Sequence, residues 1–130
     1  MLSICIPVYN YHVLPLVQSL LDCIDGNIDV EIIVADDASS PDFKTQNELL
    51  KTIEGVSYFE REENSGRSAI RNFLAEKASK DYLLFIDADS EIVDCTFIST
   101  YKKALRNSDV ICGGTAYGSK PEDKDLLLRY

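Results

Sequence analysis

An α/β fold, with a mostly parallel sheet built from alternating βα units, is what this sequence predicts, and two patterns carry the prediction. Short runs rich in Ile, Val, Leu and aromatic residues alternate with longer stretches of helical period, as in repeated βα units around a parallel sheet. Most of the strand-like runs are also apolar throughout rather than alternating, as strands buried on both faces must be. The chain has 130 residues, 45% of them apolar, which suits one domain around one core.

The elements follow in order. Residues 4–8 read as the first strand. Leu14, Val17, Leu20, Leu21 and Ile24 then recur at i, i+3 and i+4 spacing, with Pro15 in the first turn and Gly26 as the stop. Residues 30–35 give the second strand. Ser40-Pro41-Asp42 opens a second helix with a serine N-cap, a proline at the first helical position and an acid in the first turn. Phe43, Leu49, Leu50 and Ile53 form its expected apolar face. Residues 56–59 are the third strand, and a helix from about Gly66 to Ser79 turns Ile70, Phe73, Leu74 and Ala78 inward. Residues 82–86 form the fourth strand, Phe97, Ile98, Tyr101 and Leu105 mark a fourth helix, and residues 110–112 read as a fifth strand. Residues 1–115 are therefore expected to make one domain. Residues 116–130, a polar loop leading into Leu126-Leu127-Leu128, read as the truncated start of a further region.

Charge and cysteine usage limit the function classes. Twenty-two acidic against thirteen basic residues give a net charge of -9, which repels a polyanion and argues against nucleic-acid binding. A small anionic ligand would need local compensation from a metal, a helix N-terminus or an arginine. The longest apolar runs fall well short of the ~20 residues that span a bilayer, and residues 1–7 lack the basic start of a secretory signal. A cytoplasmic address is the default, with peripheral attachment of a longer protein to a membrane left open. Cys5, Cys23, Cys95 and Cys112 show no C-x-x-C pair and no histidine partners at zinc spacing, so reduced core thiols are expected. His12, the one histidine, reads as a solvated loop residue.

The functional signal lies where the predicted strands end. In an open α/β sheet, ligands bind beyond the carboxyl ends of the strands, so residues far apart in sequence share one rim. Those residues are Pro7-Val8-Tyr9-Asn10, Asp36-Asp37-Ala38-Ser39-Ser40, Glu63-Asn64-Ser65-Gly66-Arg67 and Asp87-Ala88-Asp89-Ser90. Two acidic pairs converging on one cleft repel each other unless a cation or protons neutralise them, which points to a hard divalent metal, Mg²⁺ or Mn²⁺. Such a metal, held by one or two carboxylates, would complete its shell with water and substrate phosphates. Each motif alone has a plainer role. Asp36-Asp37 suits a turn feeding the cap at Ser40, Asp87-Ala88-Asp89 a solvated turn, and Asn64 to Arg67 a helix cap beside a surface arginine. Their joint placement at successive strand ends favours a site.

These segments together resemble the family 2 glycosyltransferases, whose donor domain has the Rossmann-like GT-A fold. Residues 3–10 resemble the family's opening strand, and Glu31-Ile32-Ile33-Val34-Ala35-Asp36-Asp37-Ala38-Ser39 resembles its V-V-D-D-x-S segment. Asn64-Ser65-Gly66 with Ala69 and Arg71-Asn72 is similar to N-x-G-x-x-x-A-R-N, with the alanine one place early. Phe85-Ile86-Asp87-Ala88-Asp89-Ser90 resembles the D-x-D strand end.

The resemblance implies transfer of a sugar from a nucleoside-diphosphate sugar, a UDP-sugar being favoured, to a sugar, glycan or lipid-linked glycan acceptor. It implies inversion by a single displacement. Pro7 and Tyr9 would line the base pocket, Asp37 would accept a hydrogen bond from a ring N–H of the base, and Asn10, Asn64, Gly66, Arg67 and Ala88 would border the donor. Asp89 would ligate the metal, with Asp87 near the ribose or metal, and Arg71 would border the donor or brace the carboxylates. A salt bridge to Glu63 is the competing role for Arg67. The catalytic base is expected downstream, so this chain is expected to bind donor and transfer little alone. Self-association is left open. The alternatives are a noncatalytic nucleotide-binding domain and a response-regulator-like signalling module. The latter expects its acidic pair after the first strand, where this chain has Pro-Val-Tyr-Asn. A nucleotidyltransferase would show a Gly-rich loop there.

Overall fold

The computed structural model describes residues 1–24 and 29–114. Among them, strands and helices alternate in the predicted order. Strand β1 (Leu2–Val8) leads into helix α1 (Leu14–Ile24), and β2 (Val30–Asp36) into α2 (Pro41–Asn47), which tightens into a 3-10 segment over Glu48–Thr52. Next come β3 (Val56–Glu60), α3 (Arg67–Lys77), β4 (Tyr82–Phe85) and α4 (Thr96–Ala104). All pairings are parallel and the strand order is β3-β2-β1-β4. Central β1 places Cys5 opposite Ile33 on one side and Phe85 on the other.

The two-residue period of the strands divides the core between the two faces of the sheet. Even positions of β1 (Ile4, Ile6, Val8) and β2 (Ile32, Val34) join Val17 and Leu20 of α1 and Ile98 of α4 in the larger cluster. Odd positions Cys5, Ile33 and Ala35 pack against Ile70 and Leu74 of α3 in the smaller one. Both faces of β1 and β2 are thereby covered, which explains their unbroken apolar runs.

Four expectations are corrected. Residues 82–86 are apolar, yet Leu83 and Phe85 are about 40% exposed (41% and 40%), because α3 packs across β1 and β2 and leaves that face of β4 open. Leu49 points outward: the change from α to 3-10 winding alters the angular step and rotates it off the face that buries Leu50. Residues 110–112 form no strand, Val110 is 88% exposed, and no pairing with the four-stranded sheet is made by them among the described residues. Cys23 and Cys95 are disulfide-bonded rather than reduced, with Cα atoms 4.7 Å apart. Strand β4 lies beside β1 and α4 packs beside α1 on one face, so residues separated by 72 positions meet. Sequence spacing carries no trace of that proximity. Gly26, the expected stop of α1, and Leu126-Leu127-Leu128 lie outside the described residues. So do residues 116–130 as a whole.

A carboxylate also ties the strands together at the edge where they begin. Glu31 accepts hydrogen bonds from Ser3 Oγ (2.6 Å), Ser79 N (2.7 Å) and Ser79 Oγ (3.0 Å). Burial alone would raise its pKa, but these bonds and the nearby Lys80 charge outweigh burial and hold it below the ordinary value of 4.5. A depressed folded-state pKa contributes stability above the unfolded value and loses it as pH falls through the folded one.

Two predictions follow from the packing. Wild-type stability should decline as pH drops below about 4.5, and Glu31→Gln should be less stable at neutral pH with a shallower acid decline, measured by urea unfolding across pH. Equal acid slopes would remove Glu31 from the account. Thiol titration of the unfolded, unreduced protein should find the two free cysteines, Cys5 and Cys112. Reduction should then lower stability by about 2–4 kcal/mol. Four reactive thiols without reductant would contradict the Cys23–Cys95 link.

Candidate functional site

The strand order reverses between β1 and β4: the chain moves from β1 outward to β2 and β3, then returns to the other side of β1 for β4. Ligand crevices in open α/β sheets form at such switch points. Pro7 suits this place. Cys5 C=O accepts Ile86 N–H (3.1 Å), and two residues on, the backbone of Pro7 faces the same way, past the end of the β1–β4 ladder at Phe85. Its missing N–H therefore breaks no ladder bond. Tyr9 follows, 57% exposed, at the mouth of the crevice.

Three loops are bolted together around it. Asn10 adopts a left-handed conformation (φ 49°), which asparagine tolerates. Its backbone N–H donates to Ser39 Oγ (2.8 Å), and its side-chain Oδ1 accepts from Ser40 N–H (2.8 Å). Ser40 precedes α2 with no side-chain cap bond of its own. Asn47, fully buried at the end of α2, accepts Val13 N–H (3.1 Å) on Oδ1 and donates from Nδ2 to Tyr11 C=O (2.8 Å). Sequence reasoning missed Asn47. Its spacing from Phe43 and Leu50, i+4 and i−3, placed it on the inward helix face, where a polar side chain must find partners.

The two acidic pairs differ in kind. Asp36 is fully buried; its Oδ1 accepts Ser39 N–H (2.6 Å) and its Oδ2 accepts Tyr58 O–H (3.2 Å). Burial, followed by the charges of Asp36 and Glu60, raises the Tyr58 pKa and keeps its hydroxyl a donor. Asp37, 3% exposed, reaches the start of α3. Its Oδ1 accepts Ser65 N–H (2.9 Å) and Ser65 Oγ–H (2.7 Å), and its Oδ2 accepts Gly66 N–H (2.9 Å). A carboxylate offers about four acceptor positions, so one on Oδ2 is unused. Gly66 holds φ 82° just before α3, a conformation that favours glycine. Asn64 adds a bond from Nδ2 to Asp37 C=O (3.1 Å).

Beyond β4, the side chain of Asp87 is mostly exposed and pairs with Arg71 of α3, Nη2 to Oδ1 at 2.6 Å. Arg71 also donates to the Arg67 carbonyl (3.4 Å), so it braces the carboxylate. Arg67 is exposed and forms no ion pair with Glu63 among the described residues. Asp89 is exposed, with no side-chain hydrogen bond or ion pair among the described residues. Ala88 faces the other way: it packs on the α1-side core and lines a cavity of about 290 Å³ with Tyr11, His12 and Glu91. A larger cavity, about 510 Å³, opens at the opposite edge of the sheet beside Met1 and Tyr82, away from every strand end that carries these groups.

No three His, Cys, Asp or Glu side chains among the described residues gather as a metal cage. Asp36 and Asp37 are each hydrogen-bonded by donors of the protein itself. The remaining donor set is Asp89, with Asp87 beside it. That set fits a hard divalent ion held by one or two carboxylates and otherwise by water and phosphate oxygens.

Residues 3–129 match the family model for glycosyl transferase family 2. The chain belongs to that family. It is 34% identical over 122 residues to a poly(ribitol-phosphate) beta-glucosyltransferase of Bacillus spizizenii, covering 86% of this chain and 18% of that protein. It is 31% identical over 116 residues to an uncharacterized glycosyltransferase of Haemophilus influenzae, covering 88% and 46%. The chain thus spans less than half the length of these curated relatives. The fold is similar to that of Staphylococcus aureus TarS 1-349 in complex with UDP-GlcNAc (TM-score 0.69, 24% identity, 81% of this chain and 31% of that one). It is also similar to the Pyrobaculum calidifontis mannosyltransferase PcManGT in complex with GDP-Man and Mn²⁺ (TM-score 0.65, 19% identity, 84% and 33%). Family membership and this likeness agree with the expected GT-A fold, and the signalling reading is not favoured.

The Asn47 bridge yields its own test. Asn47→Ala leaves Val13 N–H and Tyr11 C=O without their partner and should destabilise the chain by about 2–4 kcal/mol. A loss under about 0.5 kcal/mol in urea unfolding, the scale of an ordinary surface substitution, would show that the loop does not depend on it.

Proposed function

We propose that this chain binds the nucleoside-diphosphate sugar of a glycosyl transfer, a UDP-sugar being favoured, at the β1–β4 crevice with Mn²⁺ or Mg²⁺. One observation carries the reading: of the four aspartates in the two acidic pairs, Asp36, Asp37 and Asp87 are engaged by protein donors and Asp89, among the described residues, is not. Asp89 is the metal ligand in this reading, with Asp87 held beside the ribose or metal by Arg71. The metal, when bound, acts as a Lewis acid that offsets charge developing on the diphosphate as the sugar leaves. An acidic chain, net -9, thereby accepts an anion at one place.

The chain's own residues do the rest. Tyr9 and Pro7 offer a flat surface for the base, and the unused acceptor position of Asp37 takes a ring N–H. Uracil and guanine both carry such an N–H, in keeping with the UDP-GlcNAc and GDP-Man bound by the two structural neighbours. Asn10, Asn64 and Gly66 shape the loops bordering the donor, Arg67 is free to approach the diphosphate, and Ala88 borders the donor between Asp87 and Asp89. The acceptor is a sugar, glycan or lipid-linked glycan whose hydroxyl attacks the donor's anomeric carbon with inversion as the nucleoside diphosphate leaves, and the base that takes the hydroxyl proton belongs to the wider enzyme family's second half rather than to these strand ends.

Calorimetric titration with UDP tests the metal assignment. Affinity should be at least about tenfold higher with Mn²⁺ than with EDTA, equivalent to about 1.4 kcal/mol, and Asp89→Ala should abolish the difference. Equal affinity in both conditions would rule out Asp89. Uridine titration tests the base: Asp37→Ala should weaken it with or without metal, and unchanged uridine affinity would remove Asp37 from base recognition.

A further inference from the structure

Arg61 carries no motif, yet the fold fixes it closely. Just past β3, its backbone N–H donates to Asp36 C=O (2.9 Å), extending the β2–β3 pairing. Its guanidinium lies over the Phe73 ring of α3, 4.8 Å from the centroid. Phe73 is itself set edge-on to Phe59, with ring centroids 5.8 Å apart at 84°. Arg61 Nε is the one buried side-chain nitrogen or oxygen among the described residues without a hydrogen-bond partner. It stands 4.0 Å from Asp37 Oδ1, in the only ion pair Asp37 makes among those residues.

A buried donor left unpaired is unfavourable and calls for a reason. The reason lies in how Asp37 is loaded. Oδ1 already accepts twice from Ser65, so Nε cannot close to hydrogen-bond distance without displacing one of those donors. At 4.0 Å the guanidinium attracts the carboxylate without occupying an acceptor position. The close approach is to Oδ1, so the pull is strongest there. Rotation of the carboxylate would move Oδ1 away from the charge, so the unused position stays on Oδ2, the oxygen bonded to Gly66.

We propose that Arg61 is a positioning residue for base selection: its stacked, fixed charge beside Oδ1 keeps the free acceptor position of Asp37 on Oδ2, aimed to receive a ring N–H. This rests on the reading of Asp37 as the base acceptor. The residue therefore sets specificity as well as affinity. A correctly oriented acceptor favours uracil, which presents a ring N–H, over cytosine, whose corresponding ring nitrogen is itself an acceptor.

The test compares UDP and CDP, each with Mn²⁺, by calorimetry on the wild-type chain and on Arg61→Met, Arg61→Gln, Arg61→Lys and Asp37→Ala, with thermal unfolding recorded for each. Arg61→Met and Arg61→Gln should weaken UDP binding about tenfold and shrink the UDP-over-CDP preference by a similar factor, while Arg61→Lys recovers most of the preference because it retains the charge. A merely structural role would lower thermal stability without moving that ratio. If either uncharged variant that folds keeps the wild-type ratio while Asp37→Ala collapses it, the role of Arg61 is overturned and base reading stands. If Asp37→Ala also keeps the ratio, base reading by Asp37 fails and the inference falls with it.

Discussion

A sheet whose strands all run parallel delivers every strand exit to one rim, and carboxylates placed there must each find a donor or a cation. That constraint organises this molecule. Asp36 is satisfied by the backbone of its own turn and by Tyr58. Asp37 is satisfied by the first residues of the α3 approach, which fastens β2 to α3 across the sheet face. Asp87 is satisfied by Arg71 of the same helix. Helix α3 is thus held at both ends of the crevice by acids from two different strands, and what remains for a ligand is whatever these contacts leave unused.

The remainder is small and specific. An acceptor position on Asp37, the exposed ring of Tyr9 and the carboxylate of Asp89, unpartnered among the described residues, stand around the switch point. In the proposed function they would serve, in order, a base edge, a base face and a divalent cation. The same fastening contacts that stabilise the loops set the spacing of these groups in advance, which in the proposed function would leave little ordering to be done on binding a donor.

Most of the fold was legible in the sequence because its cues are local. Apolar runs of strand length, the Ser40-Pro41 helix start and the helical spacing of Ile70 and Leu74 each report on a few neighbouring residues. The misreadings are of longer range. The Cys23–Cys95 link and the open face at Leu83 and Phe85 depend on which helix covers which strand, and no local pattern encodes that. The candidate site was legible as a set of strand ends but not as a division of labour. That two acids at one rim would be buried and satisfied, while another stayed exposed, follows from donors supplied by Ser39, Tyr58, Ser65 and Gly66. Arg61 was invisible for the same reason, since its meaning comes from Phe73 and Asp37 together.

The division of labour among the rim carboxylates can be seen residue by residue through the paramagnetism of Mn²⁺. In amide spectra of the chain with UDP, substoichiometric Mn²⁺ should broaden signals of residues 87–90 first, then those of Tyr9, Asn10 and Arg67, with Asp36 the least affected of the rim acids. Broadening centred on Asp36 and Asp37, or spread evenly over the acidic surface with no focus at Asp89, would contradict the account.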